Sequence, residues 1–345
     1  MLDDLSLPLA IGLFIASAAV IGVVGTRLAS IVDELADRTG LGEAIAGAVL
    51  LGLATSLAGI VLSVSAAWGG RPELAMSNAL GGIAAQTLFL TVADLAYRRA
   101  NLEHAAASIG NMMQGALLLC LLALLLVGRF STEITIWGVH PVTPVLFCGY
   151  VFGLRLINQA QIDPMWSPAR TMETRVDEPD EAESRRSLTR LWLVFVVLAT
   201  LLGLSGWAME RSATVISDVS GLDQAAVGVL MTSVATSLPE LVTTVAAVRR
   251  GALTLAVAGI IGGNAFDTLF AGAADIAYRE GSIYHATPDS VSLWIALSLL
   301  MTGVLLVGLI RREEQGPGRI GFESVAIIAC YAVGVVMVLV GGEGG

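Results

Sequence analysis

Two acids sit inside long apolar stretches of this 345-residue chain: Glu240, in the run TSLPE, and Asp267, in GGNAFD. A carboxylate at the centre of a bilayer costs about 2.5–3.5 kcal/mol on insertion scales, so acids at this depth ordinarily serve an ion or proton path. The residues around them free backbone groups. Pro239 removes a helix donor, and Gly259, Gly262 and Gly263 permit close approach or local unwinding. A carboxylate, the hydroxyls of Thr236 and Ser237, and carbonyls released at a helix break would form an oxygen cage suited to a hard cation. The plainer alternative is a helix kink with one satisfied acid. It loses ground because the segment occurs twice.

Displaced by 181 residues, Ala54-Thr55-Ser56-Leu57 falls on Ala235-Thr236-Ser237-Leu238, and Gly81-Gly82 falls on Gly262-Gly263. Thr87-Leu88-Phe89 falls on Thr268-Leu269-Phe270, and Ala96-Tyr97-Arg98 on Ala277-Tyr278-Arg279, with no gap over nearly 60 residues.

The elements that must position these residues are membrane helices. The chain is 55% apolar and 14% charged, with a mean hydropathy of +0.79. Ten apolar runs are long enough to span a bilayer. They lie at about 8–28, 41–67, 73–97, 106–127, 139–158, 189–209, 222–248, 253–278, 290–310 and 320–341. The first run has no basic flank or cleavage motif, so it is expected to be a retained span. With the N-terminus outside, fifteen arginines fall in cytoplasmic loops and only Arg71, Arg129, Arg211 and Arg279 in outer ones. That bias predicts both termini outside a plasma-membrane protein. The polar stretch 159–188 is expected to be a cytoplasmic linker between two halves, 1–158 and 189–345. Five spans per half is an odd number, so equivalent helices cross in opposite senses. The expected fold is an all-α polytopic membrane protein of two inverted five-helix repeats, with the site at the midplane where broken helices meet.

The second repeat, ATSLPEL followed by GIIGGNAFD, resembles the alpha repeat of the sodium/calcium exchangers, in the calcium/cation antiporter superfamily. The first, ATSLAGI followed by ALGGIAAQ, is a degenerate copy. The resemblance implies that Glu240 is the ion-binding glutamate, that Asp267 is its acidic partner, and that Thr236, Ser237, Thr55 and Ser56 offer oxygens. Gln86 stands where the family often has an amide or acid. Gly59 and Ala58 replace the first repeat's glutamate and proline, and Gly82 and Gly263 stand where many members have serine. Two carboxylates still neutralise one divalent ion, but sodium and calcium selectivity is put in question.

Other polar residues are read as structural. Asp94 and Asp275 lie eight residues beyond Gln86 and Asp267, roughly 12 Å along a helix, where pairing with Arg98 and Arg279 is expected. His104, His140 and His285 are expected as solvated interfacial residues, and Glu73 and Glu323 as helix-start acids. Trp68, Trp137, Trp166 and Trp207 read as interfacial belt residues, and Cys120, Cys148 and Cys330 as small packing residues.

The chain carries 19 basic residues, all arginine, against 29 acidic ones, for a net charge of −10. This argues against nucleic-acid binding, which calls for a basic face. No paired metal-binding histidines or nucleophile elbow suggest an enzyme. The leading expectation is a secondary antiporter exchanging calcium for sodium, with no cofactor and with the lipid bilayer and inorganic cations as its partners. A proton-coupled cation antiporter and a non-transporting paralogue are the alternatives. Retention of two costly buried acids argues against the last.

Overall fold

A computed structural model describes residues 5–39, 52, 54–97, 100–169, 187–314, 316 and 321–341. Twelve helices follow in order: α1 (Leu7–Thr39), α2 (Leu57–Trp68), α3 (Pro72–Ala96), α4 (Leu102–Ala105), α5 (Ile109–Phe130), α6 (Val142–Ile162), α7 (Leu188–Ser220), α8 (Gln224–Thr236), α9 (Leu238–Arg250), α10 (Leu253–Ala277), α11 (Asp289–Arg311) and α12 (Phe322–Gly341). Among the described residues there is no strand. A single antiparallel bridge, Ile136 to Val139, closes a tight turn in which Trp137 and Gly138 have φ of 54° and 80°.

Eight described helices are long and apolar enough to cross a membrane, and nine if α8 and α9 form one bent span. The expected second span, 41–67, is represented by helical residues at 52 and 54–55 and by α2; residues 40–51 and 53 lie outside the described residues. Residues 170–186, most of the expected linker, also lie outside them, and α6 runs to Ile162, past the linker's expected start. The helices starting at 7 and 188 overrun the expected spans 8–28 and 189–209, each reaching 33 residues. Hydropathy marks only the apolar part of a helix. A helix continues through polar residues such as Glu210 and Asp218 as long as backbone bonding does.

The inner layer is α3 and α10, each 25 residues long and buried along most of its length. Small residues allow this. Gly81 meets Val229 and Ser233, and Gly272 meets Phe147, at distances no larger side chain would tolerate. The long helices α1 and α7 pack against each other and present apolar flanks, including Leu193, Val196 and Leu204, to the outside. In a membrane protein that outer surface meets lipid, where exposed leucine and valine cost nothing.

The offset of 181 holds in three dimensions. It relates the bounds of α1 to those of α7 and the bounds of α3 to those of α10. It also relates hydrogen bonds. Leu102 N–H donates to Asp94 Oδ1 at 2.8 Å, as Ile283 N–H donates to Asp275 Oδ1 at 3.2 Å. Ser324 Oγ donates to Asp94 Oδ2 at 2.9 Å, as Thr143 Oγ1 donates to Asp275 Oδ2 at 2.6 Å.

These bonds correct the expected arginine pairing. Asp94 and Asp275 are fully buried caps for the loops after α3 and α10, and Arg279 instead donates to the Trp137 carbonyl. Arg98 lies outside the described residues. The histidines are likewise not solvated. His104 and His140 are buried, and His285 is half-buried. His104 Nδ1 lies 2.7 Å from the Arg312 carbonyl and His285 Nε2 lies 2.8 Å from the Ser131 carbonyl, again one offset apart. A loop folded back over a helix end leaves carbonyls that a ring nitrogen satisfies better than water does.

Glu73 and Glu323 do occupy first turns. The four tryptophans read as belt residues are exposed. Cys120 and Cys148, expected to be packed, instead face outward on α5 and α6, where a small apolar thiol is as acceptable to lipid as to a core.

Candidate ion-binding site

The site forms where two broken helices meet. Ser56, at the start of α2, has φ −88° and ψ 1°; Ser237, between α8 and α9, has φ −93° and ψ 7°. Both leave the helical region at the same point of their segments, although their own N–H groups still reach the Gly52 and Ser233 carbonyls. At the second break the axes of α8 and α9 differ by 45°. Pro239, in the first turn of α9, supplies no N–H to the Ala235 carbonyl one turn back. A π-helical turn, Val227–Thr232, precedes this break.

Asp267 projects from α10 into the junction and is 2% exposed. Ser56 Oγ donates to its Oδ1 at 2.6 Å, and Gln86 Nε2, from α3, donates to its Oδ2 at 2.6 Å. Gln86 Nε2 also reaches Ser237 Oγ at 3.3 Å. Ser56 to Asp267 and Ser237 to Gln86 are the same contact in the two repeats. The grip is one pattern made twice around a shared centre. Donors to a carboxylate shorten their bonds, as the two 2.6 Å distances show.

Glu240, in the first turn of α9, is 5% exposed. It lies within hydrogen-bonding reach of Thr55 and Ser56 and close enough to Asp267 for the two to repel. Two like charges in so dry a place require a counter-charge or a proton. Two oxygens are left to receive one: Glu240 Oε2 and Gln86 Oε1 are buried without a hydrogen-bond partner. Buried acceptors are seldom left unbonded, so these two oxygens are the ones free to receive a cation. The helix break places its own dipole behind Glu240, and hydroxyl, amide and carboxylate oxygens with no sulfur or imidazole suit a hard ion.

Of the seven residues expected from the sequence, Ser56, Gln86, Ser237 and Asp267 form one hydrogen-bonded cluster, with Glu240 and Thr55 beside it. Thr236 stands apart: its Oγ1 donates back to the Ser233 carbonyl at 3.2 Å. Among the described residues no three His, Cys, Asp or Glu side chains converge as a metal site. The available donors are two acids supplemented by neutral oxygens.

Three residues that sequence reasoning passed over shape this site. Phe270, one turn beyond Asp267, fills the space at Gly59: a Cβ there would lie 2.8 Å from the ring's Cε2. Asn78 joins the two breaks, donating to the Gly59 carbonyl at 3.3 Å and to Ser63 Oγ at 3.0 Å while accepting from Thr232 Oγ1 at 2.8 Å. Asn264 donates to Thr87 Oγ1 at 2.9 Å, and its buried Oδ1 has no partner. Depth was the available signal, since asparagine inside an apolar span is costly unless bonded. By contrast, Gly82 leaves room, while Gly263 is tight against Gln86. Cβ atoms added there would sit 3.7 Å from Asp267 Oδ2 and 3.3 Å from Gln86 Oε1 respectively.

A family model described as sodium/calcium exchanger protein matches residues 9–153 and 190–340. The chain belongs to the sodium/calcium exchanger family. With it comes membership of the calcium/cation antiporter superfamily, and the apolar helices make this exchanger a multi-pass membrane protein. It is 27% identical to the Putative antiporter CaxA of Alkalimonas amylolytica over 292 residues, 84% of this chain and 87% of that protein. It is 25% identical to the Inner membrane protein YrbG of Escherichia coli (strain K12) over 322 residues, 90% of this chain and 91% of that one. Among solved structures it resembles the H+/Ca2+ exchanger CAX, with a TM-score of 0.67 and 15% identity over 96% of this chain and 82% of that chain. It also resembles the sodium-calcium exchanger NCX_Mj, with a TM-score of 0.60 and 16% identity over 96% and 99% of the two chains. Both structural likenesses are likenesses of fold.

Proposed function

We propose that this exchanger is a secondary active antiporter that moves calcium against sodium across the plasma membrane by alternating access at the Glu240–Asp267 site. One observation carries the proposal. Asp267, a buried carboxylate gripped by Ser56 at the first helix break and by Gln86 of α3, lies beside a second buried carboxylate, Glu240, and Glu240 Oε2 and Gln86 Oε1 have no protein partner there. Calcium is neutralised by two carboxylates and fills its shell with hydroxyl, amide, carbonyl and water oxygens. Sodium ions or protons would use the same acids, and exclusion at one shared site couples the two fluxes. Thr55, Ser56, Thr236, Ser237 and Gln86 complete the proposed donor set through side-chain or carbonyl oxygens.

The proposal includes ten spans in two inverted halves, 1–158 and 189–345, with both termini outside. The constant offset of helix bounds and hydrogen bonds supports two structural repeats. Segment 41–67 would supply the tenth span. Alternating access would come from α1 and α7 sliding past the inner helices.

A second reading, proton coupling in place of sodium, is favoured by the closure of the first half-site. With Gly59 walled by Phe270 and glycine at 82 and 263, there are fewer oxygens than repeated acids and serines would provide. Calcium-45 uptake into proteoliposomes separates the readings. Uptake that needs internal sodium and is lost in Glu240→Gln supports sodium exchange. Uptake driven by a pH gradient alone selects proton coupling, and no calcium movement under either gradient removes calcium as the substrate.

A further inference from the structure

We infer that the site balances two positive charges per turnover, so that exchange carries no net charge, and that Phe270 is the residue that holds the number at two. The inference rests on the antiporter reading and extends it to stoichiometry.

An occluded site in low dielectric must be close to neutral, because uncompensated charge there is costly. Among the described residues, the acids at the junction of the two breaks are Glu240 and Asp267. Their charge is matched by one divalent cation or by two monovalent ones. A third acid would change the count, and the repeat offers a place for it opposite Glu240. Gly59 is the counterpart of Glu240 under the 181 offset that also relates Gln86 to Asp267. Glu240 reaches Thr55 and Ser56 in the other repeat. A glutamate at 59 would by the same geometry extend toward Thr236 and Ser237.

The ring of Phe270 forbids it. A Cβ at 59 would meet Cε2 at 2.8 Å, Cζ at 3.5 Å and Cδ2 at 3.7 Å, so the contact is with a ring edge and not with the end of a flexible chain. The ring is itself held. Phe270 is 3% exposed and packs edge-on against Phe266, with centroids 6.2 Å apart and planes at 86°. Phe266 packs edge-on against Tyr150, at 6.0 Å and 72°. Phe270 is thus the end of a row of three packed aromatic rings, and a side chain at 59 would have to displace its edge.

The test is calcium uptake by proteoliposomes clamped at zero and at about −100 mV with potassium and valinomycin. Each net charge moved per cycle would change equilibrium accumulation about fifty-fold over that range. The native exchanger is expected to change by less than about two-fold, and the double variant Gly59→Glu, Phe270→Ala to become voltage-dependent. Voltage-dependent accumulation by the native chain, or a transporting double variant that ignores voltage, would overturn the inference.

Thermal melting supplies a readout that does not need transport. Gly59→Glu and Phe270→Ala should each lower the melting temperature, and the double variant should lose clearly less than the sum of the two losses. A Gly59→Glu variant that melts like the native protein, or losses that simply add, removes Phe270 from the role. If the native chain moves no cation under any gradient, the antiporter reading itself fails, while the melting cycle still reports on the ring.

Discussion

Ser56 is the smallest group with a large consequence. Its hydroxyl is one of two donors to Asp267, at 2.6 Å, and hydrogen bonds to charged groups contribute about 1.5–3 kcal/mol. Ser56→Ala should therefore weaken calcium binding about ten-fold or more, measured by the calcium dependence of uptake. An unchanged half-saturation would mean that the serine only orders the empty site. Gly82 tests the opposite direction. A Cβ there sits in ordinary contact, 3.6 Å from Ser237 Oγ and 3.7 Å from Asp267 Oδ2. Gly82→Ser should add an oxygen ligand without strain and raise calcium affinity several-fold; a loss of affinity would show that the hydroxyl crowds the ion.

At the scale of elements, the breaks are approached by two long helices at matching glycines. A Cβ at Gly25 of α1 would collide with Pro239 Cγ, and one at Gly206 of α7 with the Ala58 carbonyl oxygen. Gly25 and Gly206 are one offset apart, as are Pro239 and Ala58. Each long helix therefore crosses the broken segment of the other repeat at a point where only hydrogen fits. Overpacking of this kind costs about 1–3 kcal/mol. The obstacle at Gly206 is backbone, which cannot rotate away, so Gly206→Ala should lower the melting temperature and slow transport. Gly303→Ala, with nothing within 4 Å of the added Cβ, is the matched control and should do neither. Equal melting of the two variants would deny that α7 bears on the break.

At the scale of the whole molecule, the two ends of the repeat pair differ in charge. One end buries Asp94 and Glu323 around Glu103 of α4; the offset counterpart of Glu103 is Tyr284. Glu103 is 1% exposed, and burial, reinforced by the nearby Asp94 and Glu323 carboxylates, raises its carboxyl to about 8. A raised acid binds its proton more tightly in the folded than in the unfolded state. Its contribution is thus present below the ordinary value of 4.5 and is lost as pH rises from there through about 8. Melting temperature should fall across that interval, and Glu103→Gln, which keeps a neutral side chain at every pH, should flatten the fall. A variant with the same slope as the native chain would place the pH dependence elsewhere.

Much of this was legible in one dimension. Apolar runs long enough to span a bilayer, acids at membrane depth and a gapless repeat identify a membrane helix bundle with its donors at TSLPE and GGNAFD, because bilayer physics penalises every exception. Contacts between distant segments were not legible, because hydropathy records what a residue avoids and not what it meets. Asp275 bonded to His140 and Thr143, and not to an arginine, depends on how a loop folds back over a helix end. Gly59 read as a missing glutamate, and only the packing of α10 against α2 shows a phenylalanine ring in its place. The chain's order determined which oxygens exist at the site. Tertiary packing decided which of them face one another, because a carboxylate's partners come from helices more than a hundred residues apart.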